Sequence, residues 1–190
     1  LWSVELFDMN IFILLISLEP SREINLVDSD YYHLETLACI RLLLDTHTDY
    51  LRGKSFSFNI VTNNPKFWKN IALPALHSLY PNKQIPISVD LFEPDPFVSP
   101  LFYKIEIIHR FYRFLTESSF QSNSYFLFID GDIVSLRAWL FESISLVASK
   151  INSLVMVHEC GLTHCLPYPN YNTGIILCAV NQSICSLLQQ

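Results

Sequence analysis

Glycine and charge are both scarce in this chain. Of its 190 residues four are glycine and 16% are charged, while 51% are hydrophobic, with 14 Phe and 9 Tyr. So little charge and so much apolar bulk exclude a disordered polyelectrolyte and describe a chain that packs a core. No basic run rises above the background, and the net charge is −6. General affinity for nucleic acid or anionic lipid is therefore excluded, and an anionic ligand needs a local site or a metal. The cysteines number five and form no CxxC pair, so they do not describe a closed disulfide framework. Cys160, His164 and Cys165 lie close together but match no common zinc spacing. No apolar run reaches the ~20 residues that cross a bilayer. Ile11–Leu18 (IFILLISL) reads either as a buried strand or helix edge, or as the h-region of a signal segment. The acids Glu5 and Asp8, with no Lys or Arg before it, speak against the second. Residues 1–23 are accordingly an apolar N-terminal segment of uncertain role, and nothing in the sequence shows a membrane anchor.

From residue 24 onward the apolar periodicities alternate between strand and helix. Ile24–Asp28, Ser55–Val61, Pro86–Phe92, Tyr125–Ile129, Ser153–His158 and Gly174–Val180 read as strands. Tyr31–Asp45 reads as a helix capped by Asp30, and Phe67–Tyr80 as a helix broken or kinked at Pro74. Ser99-Pro100 opens a helix from about Leu101 to Glu117, and another spans about Ser135 to Lys150. With no internal repeat and no linker-like cluster, residues 24–190 form one α/β domain. Its architecture is a mostly parallel sheet flanked by helices, with ligands expected at the carboxyl ends of the strands.

At one such end stands Asp130-Gly131-Asp132, directly after an apolar strand. Two ionised carboxylates cannot stay in apolar surroundings, since each carries a desolvation cost of several kcal/mol. In extended geometry positions i and i+2 point to one side, so Asp130 and Asp132 would converge on one ion. Oxygen ligands suit Mn²⁺ or Mg²⁺, with phosphate oxygens and water completing the shell. Gly131 allows close backbone approach of a ligand. The plain alternative is a solvated turn, where Asp and Gly are common. A haloacid-dehalogenase-like phosphohydrolase also carries D-x-D after a strand. In those enzymes the strand is the domain's first, and a Thr normally stands where this chain has Val134.

The stretch HRFYRFLTESSFQSNSYFLFIDGDIVSLRAWL, with YNTGIILCAV after it, resembles the core of retaining glycosyltransferases of family 8. LVDSDYYHLETLACIRLLLDTHTDYLRGKSFSFNIVTNN resembles their opening strand, helix and second strand, and the spacing looks most like the glucoside xylosyltransferase branch. The resemblance covers about Ile24 to Gln190. It implies a GT-A fold, a UDP-sugar donor, Mn²⁺ dependence, a glycan or glycoprotein acceptor, and a Golgi or ER lumen location. By position, Asp130 and Asp132 would be metal ligands, with Asp130 also facing the ribose. Arg110 would face the donor, with Lys104 and Arg113 as competitors, and Asn172 and Gly174 would line the donor-sugar pocket. Asp28 and Asp30 offer base or ribose contacts. No protein nucleophile is evident, so no catalytic residue is assigned. The family's later D-Q pair and metal-binding His segment have no counterpart here, and only His158 is a substitute to consider. The expectation is therefore a C-terminally incomplete GT-A-like domain: a fragment of an enzyme, or an inactive binding module.

Overall fold

The computed structural model describes residues 9–18, 30–51, 55–81, 84–95, 97–98, 100–118, 123–133, 135, 140–148, 154–158, 171–181 and 184. The expected strand Ile24–Asp28 and the Cys160, His164, Cys165 group lie outside them.

The sheet begins earlier than the boundary at residue 24 suggests. Asn10–Ser17 is β1, and it pairs in parallel with both β2 (Ser55–Thr62) and β4 (Ser124–Ile129). The run NIFILLIS is apolar on both faces because both faces are covered, as a central parallel strand requires. Ile11, Ile13 and Leu15 enter one core and Leu14 the other. Between β1 and β2 runs α1 (Tyr31–Leu51). Its first helical bond, from the Leu34 amide, ends on the Asp30 carbonyl at 2.9 Å, and the Asp30 carboxylate accepts from Asn64 Nδ2 at 3.4 Å.

After β2 the chain forms α2 (Pro65–Phe67), a wider π-turn (Trp68–Ala72) and α3 (Leu73–Leu79). The break expected at Pro74 is thus absorbed as a π-turn just ahead of it. Proline has no amide to give the preceding turn and its ring crowds the carbonyl four residues back; a wider turn relieves both. β3 (Ile87–Leu91) forms the parallel edge, and after it come α4 (Pro100–Glu117), β4, α5 (Leu140–Ala148), β5 (Leu154–His158) and β6 (Tyr171–Ala179). The strand order is β3-β2-β1-β4-β6-β5. The first four are mutually parallel, and β6 runs antiparallel to both β4 and β5. This is the mostly parallel α/β sheet flanked by helices that the sequence predicts.

Helices divide between the two faces. Cys39, Ile40, Leu43 and Leu44 of α1 share a core with Phe67, Trp68 and Leu76 of the α2–α3 region and with Ile144 and Val147 of α5. On the other face Tyr103, Ile107, Ile108, Tyr112 and Leu115 of α4 pack on Leu14, Phe126, Phe128, Ile176 and Cys178. Tyr112 also ties α4 to the end of β6: its hydroxyl donates to the Ala179 carbonyl at 2.7 Å and accepts from the Asn181 amide at 2.9 Å. Among the described residues no helix is long and apolar enough to cross a membrane.

Candidate functional site

β4 is buried along its whole length and lies between β1 and β6. It therefore delivers the acid pair to the middle of the sheet's carboxyl edge. There the Ile133 amide donates to the Asp130 carbonyl at 3.1 Å, closing a turn around Gly131 and Asp132. The acid pair thus sits in a hydrogen-bonded turn rather than in the extended geometry expected, because the backbone bond back to Asp130 bends the chain as soon as it leaves the strand. Because β6 runs the other way, its amino end reaches this edge too, and the Gly174 carbonyl accepts from the Asp130 amide at 2.7 Å. The two motifs distant in sequence meet here through their backbones. Asn172 is in register with Val157 on β5.

The two carboxylates have different surroundings. Asp130 is partly buried, and Lys104 of α4 places its ammonium 2.5 Å from Asp130 Oδ2. The same ammonium lies 5.0 Å from the centre of the Phe128 ring, a cation–π distance. Burial pushes the Asp130 carboxyl above its ordinary value, Lys104 pulls it part of the way back, and Asp132 pushes it up again. Asp132 is exposed. Behind the turn the Cys39 thiol points at the Asp130 carbonyl, 3.8 Å away. Burial, reinforced by both carboxylates, pushes that thiol up to about 12, so Cys39 is a packing group rather than a nucleophile.

Gly131 is required by proximity. A Cβ there would collide with Thr36 Oγ1 and stand 3.3 Å from both Cα and Cβ of Thr36. α1 thus presses directly on the turn, with the Thr36 hydroxyl held by the Tyr32 carbonyl at 2.9 Å. A cavity of about 180 Å³ opens beside them, lined by Ile16, Leu18, Tyr32, Glu35, Thr36, Asp130, Gly131 and Asp132. Tyr32, Glu35 and Thr36 lie in the stretch that resembles the family's opening helix but carry no role there; their i, i+3, i+4 spacing on a helix is the further signal. Tyr31 hydrogen-bonds Glu35, which raises its phenol pKa.

Arg110 is placed elsewhere. It lines a separate cavity of about 250 Å³ with Val61, Asp90, Leu91, Phe92, Ile107 and Phe111, and its guanidinium is 3.5 Å from Glu106. Arg113 pairs with Glu117 at 2.7 Å. Of the three basic candidates on α4, Lys104 is the one on the acid pair. Among the described residues no three His, Cys, Asp or Glu side chains form a group that would hold a metal. The chemistry of the acid pair alone, two carboxylates on one turn with no sulfur or nitrogen ligand among the cavity's lining residues, is of the kind that suits a hard divalent cation.

No protein-family model matches the chain, and no curated protein matches it in sequence. Among solved structures, mouse xyloside xylosyltransferase 1 in its apo form is similar at a TM-score of 0.47 and 10% identity, over 91% of this chain and 67% of that one. The 4-diphosphocytidyl-2C-methyl-D-erythritol synthase from Anaerococcus prevotii is similar at 0.43 and 11% identity, over 95% of this chain and 75% of that one. These are likenesses of overall shape, and no residue role is taken from them.

Proposed function

We propose that this chain binds a nucleotide-diphospho-sugar, of the UDP-sugar class, at the Asp130–Asp132 turn, and belongs to a retaining glycosyltransferase acting on a glycan or glycoprotein in the Golgi or ER lumen. The observation that carries the reading is the acid turn itself. A fully buried central strand ends in two carboxylates beside a cavity at the carboxyl edge of a parallel sheet, where ligands of such sheets bind. The phosphohydrolase alternative expects its acid pair after the first strand of the domain, whereas here the pair comes after the fourth described strand.

In this reading Asp130 and Asp132 hold Mn²⁺ or Mg²⁺. When bound, such an ion would supply Lewis-acid charge at the diphosphate leaving group. Lys104, already at Asp130, supplies a further cation to the same oxygens. Gly131 lets the acid turn sit against Thr36 of α1, and Gly174, bonded to Asp130 through its carbonyl, would bring the Asn172 segment to the donor-sugar side. Arg110, in a separate cavity and paired with Glu106, is given no part at the diphosphate. No side chain is assigned as nucleophile.

Calorimetric titration of the folded chain with UDP, first with Mn²⁺ and then with chelator, tests this. Mn²⁺-dependent binding is expected, weakened in Asp132→Asn by at least about tenfold, ~1.4 kcal/mol. Binding indifferent to chelator and to that substitution removes the metal from the site. No binding of UDP removes the nucleotide-sugar reading altogether. Binding without sugar transfer to any acceptor makes the chain a binding module.

A further inference from the structure

The far end of α1 holds a second polar junction, on the chain that leads away from the acid pair. His47 is buried, and its Nε2 accepts a hydrogen bond from the backbone amide of Leu140 at 3.3 Å. Leu140 is the first residue of α5, so its amide is one of the helix-start donors with no partner inside the helix. On the other side of the ring, Nδ1 lies 3.1 Å from the Leu43 carbonyl and 2.8 Å from Thr46 Oγ1. Thr46 Oγ1 in turn lies 3.0 Å from Ser135 Oγ. An amide can only donate, so Nε2 carries the lone pair and Nδ1 the proton: the neutral ring in one tautomer.

We infer that His47 is a proton-operated latch that ties the start of α5 to α1 and lets go on acidification. A proton on Nε2 sets two N–H groups facing each other. It also puts a positive charge at a helix N-terminus, where the helix dipole disfavours it. The same helix braces the acid turn further up, through Thr36 against Gly131 and Cys39 against the Asp130 carbonyl. α1 therefore registers both the turn and the start of the next helix, and protonation of His47 frees one of its two holds.

Among the described side chains the titratable surroundings fit a neutral ring. Two acids on α1 lie two residues from His47: Asp45, which accepts from the Tyr80 hydroxyl at 2.5 Å and faces Arg41 at 3.7 Å, and Asp49, whose side chain is outside the described ones. The described side chains of α5 (Leu140, Ser143, Ile144, Leu146 and Val147) include no acid or base. Burial lowers the His47 pKa below its ordinary 6.5, against a smaller upward pull from the Leu43 carbonyl. With a folded-state value below the free one, the closed latch is fully held above about pH 6.5 and weakens as pH falls toward the folded-state value, by up to about tenfold per pH unit.

The test is amide hydrogen exchange at Leu140 in the full chain between pH 5 and pH 8, corrected for the intrinsic rate, in wild type, His47→Gln and His47→Phe. Wild-type protection should fall as pH falls. His47→Gln, whose amide oxygen accepts from Leu140 without titrating, should give a flat profile, and His47→Phe should be unprotected throughout. If His47→Phe does not fold, the first two decide. Protection independent of pH in wild type, or a glutamine variant that tracks the wild-type curve, overturns the latch. Any effect on ligand binding rests on the nucleotide-sugar reading. UDP titration of the same samples separates the two, because absence of UDP binding at every pH overturns that reading while the exchange profile still decides the latch.

Discussion

Lys104 reaches Asp130 from the opposite face of the sheet to α1: its ammonium lies 2.5 Å from the carboxylate, with the side chains 19% and 30% exposed. One helix therefore presses on the backbone of the acid turn while another neutralises its first carboxylate. The acid at the end of β4 has a counter-ion built in and does not depend on solvent for one.

That arrangement ranks the basic residues of α4. Lys104→Met should weaken UDP by about tenfold, ~1.4 kcal/mol, because it removes the cation held at the site and leaves Asp130 unpaired. Arg110→Ala should cost clearly less. Its partner Glu106 is a surface pair, with side chains 69% and 51% exposed, and pairs of that kind contribute little. Side-by-side titration with UDP and uridine checks this. Equal losses for the two variants, or a greater one at Arg110, would return the donor-facing role to Arg110.

Gly131→Ala tests the contact with α1. The added methyl has no room against Thr36, and forcing a methyl into a packed contact costs about 1–3 kcal/mol. Urea denaturation should show a loss of that size, and a smaller one on a Thr36→Ala background, where the colliding hydroxyl is gone. Recovery should be partial, since the Thr36 Cα is also 3.3 Å away. A loss independent of Thr36 would mean that the strain lies elsewhere in the turn.

The acid pair and the alternation of strands and helices are legible in the sequence because both are local: an apolar run ending in Asp-Gly-Asp, and periods of two and 3.6. Residues Ile11–Leu18 are not. A short apolar run reads alike as a signal core or a buried strand, and what makes it β1 is pairing with two segments far along the chain. The choice among Lys104, Arg110 and Arg113 stays open in sequence for lack of one further step. Tyr103, Ile107, Ile108 and Tyr112 mark the buried stripe of α4, and Lys104 lies within it, three and four residues from Ile107 and Ile108. Arg110 and Arg113 fall outside that stripe, with side chains 69% and 60% exposed. The hold of α1 on both the turn and α5 is beyond the reach of sequence, since Cys39 and His47 show nothing there beyond being helical.

Asp130 itself carries a cost that can be measured. Its folded-state carboxyl sits above the ordinary 3.8, with burial outweighing Lys104. A raised folded value means that the folded chain holds this proton more tightly than the unfolded one. The contribution to stability is therefore fully present below about pH 3.8 and is lost as pH rises through the folded value. At neutral pH the ionised group works against the fold. Asp130→Asn keeps the shape and discards the charge, so its Tm should exceed that of wild type at pH 7, and the gap should close toward pH 4 as wild type takes up its proton. Lys104 loses its partner in that variant but keeps the face of Phe128 at 5.0 Å. A variant less stable than wild type at pH 7 would mean that the Lys104 pair outweighs burial. The expected outcome, a more stable chain that no longer binds UDP, would mark Asp130 as a residue kept charged for its ligand at the expense of the fold.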